Sequence, residues 1–317
     1  MFIEFYIIYN QEHTMTGLKK TFIPVLAVSL IFSAGCGKGI YNAAIKSERH
    51  SAGVVKKTIT VDDHRIAYLE GGTGPTLLLV HGYASDKDFW ARTAARLTDK
   101  YHVIALDLPG CGESSRIQQD RYDINSQTDR LYRFTQTIGI QKFHLAGHSM
   151  GGCIAGHFAV KYPQQVDKLC LISAAGVAAP SKSELDLAME QGQNPLLIKD
   201  EQDYSRLLKF LMEKQPYIPG AVRSEYARSA LENKEFNEKI WADIAGLTRM
   251  LEPELQKISQ PTLILWGDKD RVLDVSCADV FNRGIKSSRK HIIKNCGHGP
   301  MIEYPDETAG AILSFLQ

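Results

Sequence analysis

Short, mostly apolar runs punctuate this chain at 76–80, 102–106, 142–146, 168–172, 261–266 and 290–293. The runs at 76–80 and 102–106 read as strands buried on both faces of a parallel sheet, and the others as further strands. Between them the apolar positions recur at helical spacing, over 89–97, 125–138, 153–160, 276–285 and 306–316. Asn125 or Ser126 is the expected N-cap of the second of these. Residues 54–61 and 65–69 read as two further strands around the turn Asp62-Asp63-His64, which puts His64 in solvent. Strand and helix in alternation imply an α/β fold, a mostly parallel sheet flanked by helices. The rhythm breaks after Gly176. Residues 178–252 carry helical patterns, interrupted by Pro180, Pro195, Pro216, Pro219 and Gly220, with no buried strand. A helical lid inserted at about 177–252, in a domain spanning 54–317, is the expected arrangement. A minority of its apolar side chains facing a cleft would line an apolar substrate channel.

The first residues follow a different logic. Gly17-Leu18-Lys19-Lys20 precedes an apolar run at 22–32, which ends in Ser33-Ala34-Gly35-Cys36. A basic start, a short apolar core and small residues describe an export leader, residues 1–36, with translation beginning at Met15. The apolar core falls short of the ~20 residues that span a bilayer as a helix. The ending resembles a lipobox, with Ser33 where Leu is usual. Cys36 is therefore the expected lipidation site of a bacterial lipoprotein, exported and held at the membrane surface of the cell envelope. Residues 37–53, polar and poor in large apolar groups, read as a tether.

The 317 residues are 44% hydrophobic, enough for one large core with an inserted lobe. A net charge of +1 with interspersed signs gives no footprint for nucleic acid. Cys153 and Cys170 lie in apolar runs, and Cys111, Cys277 and Cys296 lie in loops or element ends. Their spacing suggests neither a metal site nor a disulfide framework, and no cofactor motif is visible.

Chemistry gathers at Gly147-His148-Ser149-Met150-Gly151-Gly152, between a strand and a helix. That context makes G-x-S-x-G a nucleophile turn. A serine hydroxyl needs a base, and the base needs a carboxylate to orient it. Side chains that can meet above such a sheet follow strands directly. Asp270 follows the strand at 261–266 and His298 the strand at 290–293, giving Ser149, Asp270 and His298 as the catalytic candidates. Asp268 is the rival acid and Asp274 a third choice. His148 should point away from its neighbour, and His81 should shape a loop. The backbone N–H groups of Met150 and Tyr83 are the candidate oxyanion donors.

These residues, with His81-Gly82 and Asp107-Leu108-Pro109-Gly110, resemble the α/β-hydrolase superfamily. The segments 85–90, 266–275 and 295–298 are similar to its monoacylglycerol lipase branch, and 194–199 to lipid-linked lipases of cold-adapted Gram-negative bacteria. Tyr83 and His148 depart from the commoner residues of the branch. The resemblance implies an α/β-hydrolase fold, an enzyme, and cleavage of lipid carboxylic esters, acylglycerols foremost, through an acyl-enzyme on Ser149. A lipid ester substrate and a membrane surface are the implied partners. The alternatives are a C–C bond hydrolase of meta-cleavage type and a catalytically silent lipid-binding module.

Overall fold

A computed structural model describes residues 35–317 except Ala245, and leaves out the side chains of Gly35, Cys36 and Thr248. The export leader and the lipidation of Cys36 fall outside the described residues and side chains. Helix α1 spans Gly35–Ser51. Then come β1 (Val54–Val61), β2 (His64–Gly71), β3 (Thr76–Val80), α2 (Ala91–Leu97), β4 (His102–Leu106) and α3 (Ile124–Thr137). They are followed by β5 (Phe143–His148), α4 (Met150–Lys161) and β6 (Val166–Ile172). Helices α5 (Glu184–Glu190), α6 (Glu201–Leu211), α7 (Gly220–Glu232) and α8 (Lys234–Asp243) follow. The chain closes with β7 (Thr262–Gly267), α9 (Cys277–Gly284), β8 (Ser288–Ile293), α10 (Pro300–Glu303) and α11 (Pro305–Leu316).

The strands form one sheet in the order β1-β2-β4-β3-β5-β6-β7-β8. β1 and β2 run antiparallel at one edge, and the pairs from β4 to β8 are parallel. The continuous apolar runs have a simple use here, because successive side chains of a strand point to opposite faces. Leu78, Val80, Leu145, Leu171 and Ile264 enter a core under α3, α4 and α9. Leu77, Leu79, Ala146, Cys170 and Leu265 enter a second core under α2 and α11. The chain steps from β3 to β4 on one side and returns to β5 on the other, so the strand order reverses beside β3. Ligand crevices of open α/β sheets form at such a reversal, at the carboxyl ends of the strands. Val80 pairs with Gly147 in this register, which sets the segment after β3 beside the serine turn after β5.

The stretch between β6 and β7 holds α5 to α8. It closes at its base, where the N–H groups of Leu251 and Glu252 both donate to Gly176 O at 2.9 Å. Ile198, Met212, Val222 and Ile240 are buried, while Leu187, Met189 and Tyr217 are exposed. No helix among the described residues is long and apolar enough to cross a membrane.

Three expectations need correction. Residues 37–53 are not an extended tether: α1 is helical, buries Ile45 and sets Tyr41 edge-on to Tyr226 of α7, ring centroids 5.1 Å apart. Its polar residues have distant partners. Arg49 grips Asp88 with two hydrogen bonds of 2.6 Å, and Arg92 donates to Glu48 at 2.9 Å. His64 is buried rather than solvated, with Nε2 2.7 Å from Asp120 Oδ2. The N-cap of α3 is Asp123, whose carboxylate accepts from Ser126 N, rather than Asn125 or Ser126.

Lys87 is 1% exposed, a burial its sequence context does not announce. Its ammonium donates to Asp107 Oδ2 at 2.9 Å, and its N–H to Asp107 Oδ1 at 2.7 Å. Burial alone would lower this ammonium's pKa, but Asp107, Asp88 and Asp86 beside it outweigh that and hold it above its ordinary value. Removing Asp107 leaves Lys87 only Glu113 at 3.1 Å and Asp88 at 3.4 Å, and leaves the N–H groups of Lys87 and Glu113 without their acceptor. Asp107→Ala should therefore lower the unfolding free energy by about 3–5 kcal/mol in urea titrations followed by circular dichroism. A loss below about 1 kcal/mol, the scale of a surface pair, would contradict this account.

Candidate active site

The turn between β5 and α4 holds Ser149 at φ 53°, ψ −121°. A non-glycine residue reaches this region only when its surroundings force it. Two glycines make the turn possible. A Cβ on Gly147 would stand 2.2 Å from Gly151 O, and one on Gly151 would stand 2.3 Å from His81 O. The turn is pinned on both sides: Ser149 N donates to Ile172 O at 3.0 Å, and Ser149 O accepts from Ala175 N at 3.0 Å. Strand β5 and most of α4 are buried, so the serine is fixed at the crest of the sheet.

Met150 begins α4, and the first N–H groups of a helix have no acceptor within it. The segment His81-Gly82-Tyr83 runs alongside. A Cβ on Gly82 would stand 3.1 Å from Ser149 Cβ, so the main chain passes directly over the nucleophile candidate. His81 shapes this segment. Nε2 accepts from Leu108 N at 3.0 Å, which leaves Nδ1 as the donor to Gly82 O at 2.7 Å. Tyr83 is anchored through its ring: its hydroxyl donates to Asn237 O of α8 at 2.9 Å, and its ring stands edge-on to Trp241 at 5.2 Å. The Tyr83 N–H meets no acceptor among the described residues.

Three carboxylates compete for His298, and the structure separates them. Asp270 Oδ2 lies 2.8 Å from His298 Nδ1, and both side chains are buried. Its other oxygen accepts from Val272 N and Leu273 N at 2.9 and 3.0 Å, which fixes the carboxylate's orientation. Asp268 leans toward Lys294 at 3.4 Å, and Asp274 caps the following turn through Ser276 N at 2.9 Å. With Nδ1–H donated to Asp270, the Nε2 lone pair of His298 is left to take a proton.

His148, next to Ser149 in the chain, meets the histidine loop. Its ring packs against the His298 ring, centroids 4.7 Å apart, and Phe89 covers it at 5.6 Å. Nε2 lies 2.7 Å from His298 O, so it carries the proton and donates. Sequence spacing had no means of finding this contact, because 150 positions separate the pair. His144 forms no hydrogen bond through its buried Nδ1, and neither does His157 through its buried Nε2. The described cysteines are all buried free thiols, and burial pushes Cys111 up to about 12. Among the described residues no cluster of side chains could hold a metal ion.

A strained serine, a buried histidine–aspartate pair and two flanking N–H groups on an eight-stranded sheet are the parts of a serine hydrolase. A family model for the alpha/beta hydrolase fold matches residues 75–208. The chain is 35% identical over 280 residues to Lipase 1 of Psychrobacter immobilis, covering 86% of this chain and 87% of that one. The chain therefore belongs to the α/β-hydrolase family. It is also similar to a monoacylglycerol lipase of Homo sapiens, at 29% identity over 84% of each chain. Among solved structures it is similar to a membrane phospholipase A described as a bacterial virulence factor. That match has 44% identity, a TM-score of 0.87, and coverage of 89% of this chain and 92% of that one.

His148 makes the site sensitive to acid. Burial, then the neighbouring His298 and His81, hold its pKa well below 6.5, and the His298 carbonyl offsets only part of this. The folded protein therefore keeps His148 neutral at pH values where the unfolded chain is already protonated. Its contribution to stability is complete above about 6.5 and falls as the pH drops below that value. Unfolding free energy should decline from about pH 7 to about pH 5.5, by up to about 1.4 kcal/mol per unit from His148. His148→Phe should show a shallower decline in urea unfolding at matched pH, and an unchanged slope would contradict the assignment.

Proposed function

We propose that this ester hydrolase cleaves carboxylic esters of lipids, acylglycerols foremost, through an acyl-enzyme on Ser149. The observation that carries the reading is the buried Asp270–His298 pair, which leaves Nε2 of His298 unengaged at a crest where Ser149 is held in a strained turn. The relatives named above as lipases, a monoacylglycerol lipase and a phospholipase support a lipid substrate.

In this reading Nε2 of His298 takes the proton of Ser149 as its oxygen attacks the ester carbonyl carbon. The carbonyl oxygen gains negative charge, and the N–H groups of Met150 and Tyr83 receive it. Such donors act strongly because they are already oriented and sit in a low dielectric. Asp270 stabilises the imidazolium. The imidazolium then gives its proton to the departing alcohol, and the acyl group remains on Ser149. Water, deprotonated by the same nitrogen, attacks the acyl carbon; the bond to Ser149 Oγ breaks, the imidazolium returns the proton to that oxygen, and the fatty acid leaves. The half-exposed apolar residues Leu196 and Leu197 supply acyl-compatible surface in the inserted segment. Attachment to a membrane, through a lipid on Cys36 or through the leader, belongs to the same proposal and rests on the amino-acid sequence. Replacing Cys36 by Ser should abolish metabolic lipid labelling, and persistent labelling would refute it.

The full chain should hydrolyse monoacylglycerols and a ladder of p-nitrophenyl esters, favouring medium or long acyl chains. Ser149→Ala should lower kcat by on the order of 10⁴-fold or more, and Asp270→Asn by on the order of 10³–10⁴-fold, both remaining folded. Full activity in Ser149→Ala would sink the mechanism. A steady loss of activity with chain length would instead mark a small-ester esterase. A meta-cleavage C–C hydrolase or a silent lipid-binding module would give no Ser149-dependent ester turnover in this assay.

A further inference from the structure

Glu303 is a buried carboxylate that the mechanism above does not use. It ends α10 and is 5% exposed. Among the described residues no lysine, arginine or histidine forms an ion pair with it. A buried charge without a counter-ion is costly unless hydrogen bonds saturate it. Here main-chain N–H groups do so. Gly297 N donates to Oε1 at 2.9 Å and Gly299 N at 3.2 Å, from either side of His298. Glu213 N and Lys214 N donate to Oε2, each at 2.8 Å, and they follow α6 of the inserted segment. One side chain therefore holds two remote stretches, the histidine loop and the chain leaving α6.

A separate contact ties the same two stretches. His298 N donates to Leu211 O, the last residue of α6, at 2.7 Å. The main chains touch as well, since a Cβ on Gly297 would stand 2.6 Å from Leu211 O and 2.9 Å from Glu213 N. The segment at 211–214 cannot shift while His298 stays still unless these hydrogen bonds break.

We propose that Glu303 is a positioning residue that couples the inserted helices to His298, so that the place of α6 sets how well the base meets Ser149. This inference rests on the reading of Ser149, Asp270 and His298 given above. Misplacing a reacting group by about 1 Å can cost on the order of 10²-fold in rate. The coupling acts on proton transfer and leaves the acyl-binding surface intact, so it affects kcat rather than KM.

The test uses the full chain, p-nitrophenyl butyrate as substrate, and two variants. Glu303→Gln weakens the whole junction. Lys214→Pro removes one N–H on the side of the inserted segment, together with the ammonium 4.9 Å from the Tyr304 ring, and changes no residue of the histidine loop. Glu303→Gln should lower kcat by about 10²-fold with KM within about 3-fold, and should move the midpoint of the kcat–pH profile. Lys214→Pro should also lower kcat, and the double variant should lose less than the product of the two single losses. Unchanged kcat in Lys214→Pro, or losses that simply multiply, would overturn the coupling. If Glu303→Gln fails to fold by circular dichroism, Lys214→Pro alone decides, through its kcat against KM. A wild-type chain without Ser149-dependent turnover would be a failure of the hydrolase reading instead.

Discussion

A strained main-chain turn at Ser149 is the constraint on which the rest of the structure depends. Its φ of 53° with ψ of −121° costs about 1–3 kcal/mol, and it persists because the surroundings leave no alternative. The turn joins β5, buried along its whole length, to a helix whose first turn lies against β3. Relaxing it would pull one of them out of the core. The strain is therefore carried by hydrophobic burial on both faces of the sheet, and its product is a serine held at a helix N-terminus. The local rule that glycine must stand two residues on either side follows from the same packing, because a Cβ at Gly147 or Gly151 would overlap main-chain oxygen.

The loops around this crest are set by buried polar groups, each of which binds main-chain N–H. Asp107 accepts from Lys87 N and Glu113 N. His81 accepts from Leu108 N, and Asp270 from Val272 N and Leu273 N. In a low dielectric such bonds are strong when complete and expensive when broken, so each loop has essentially one position. That rigidity suits a site whose donors must be oriented before charge develops. The same economy explains why Asp270 rather than Asp268 meets the histidine. Its second oxygen is held by the turn that follows, while Asp268 faces Lys294.

This division also explains what could be read in the amino-acid sequence. The central strands were legible because burial on both faces leaves apolar runs, and the helices because their apolar stripe repeats at 3.6 residues. Gly147, Ser149 and Gly151 were legible because the turn is local. Asp270 and His298 were reachable through their places after strands, although two residues of spacing could not separate Asp268 from Asp270. What remained hidden is polar and long-range. Nothing near Arg49 signals Asp88, 39 positions on, so a polar helix passed for a tether. His64 and Asp120, 56 positions apart, are hidden for the same reason, and so is Lys87 with Asp107. A buried ion pair has no periodicity; each half looks like a surface residue until the fold brings the other half to it.

The proposed nucleophile and the proposed base are thus supported in different ways. Ser149 is fixed by the turn between β5 and α4 and by main-chain bonds to Ile172 and Ala175 at the end of β6. His298 hangs between three bodies: Asp270 after β7, His148 on the serine turn, and the end of α6 in the inserted segment. His148 grips the His298 carbonyl and Leu211 receives its N–H, so the histidine's main chain is bracketed from the sheet side and the insertion side at once. A disturbance at the end of α6 therefore reaches His298 directly, through its main chain. In the proposed mechanism the place of the serine is therefore a property of the core, whereas the place of the histidine is open to whatever the inserted helices contact.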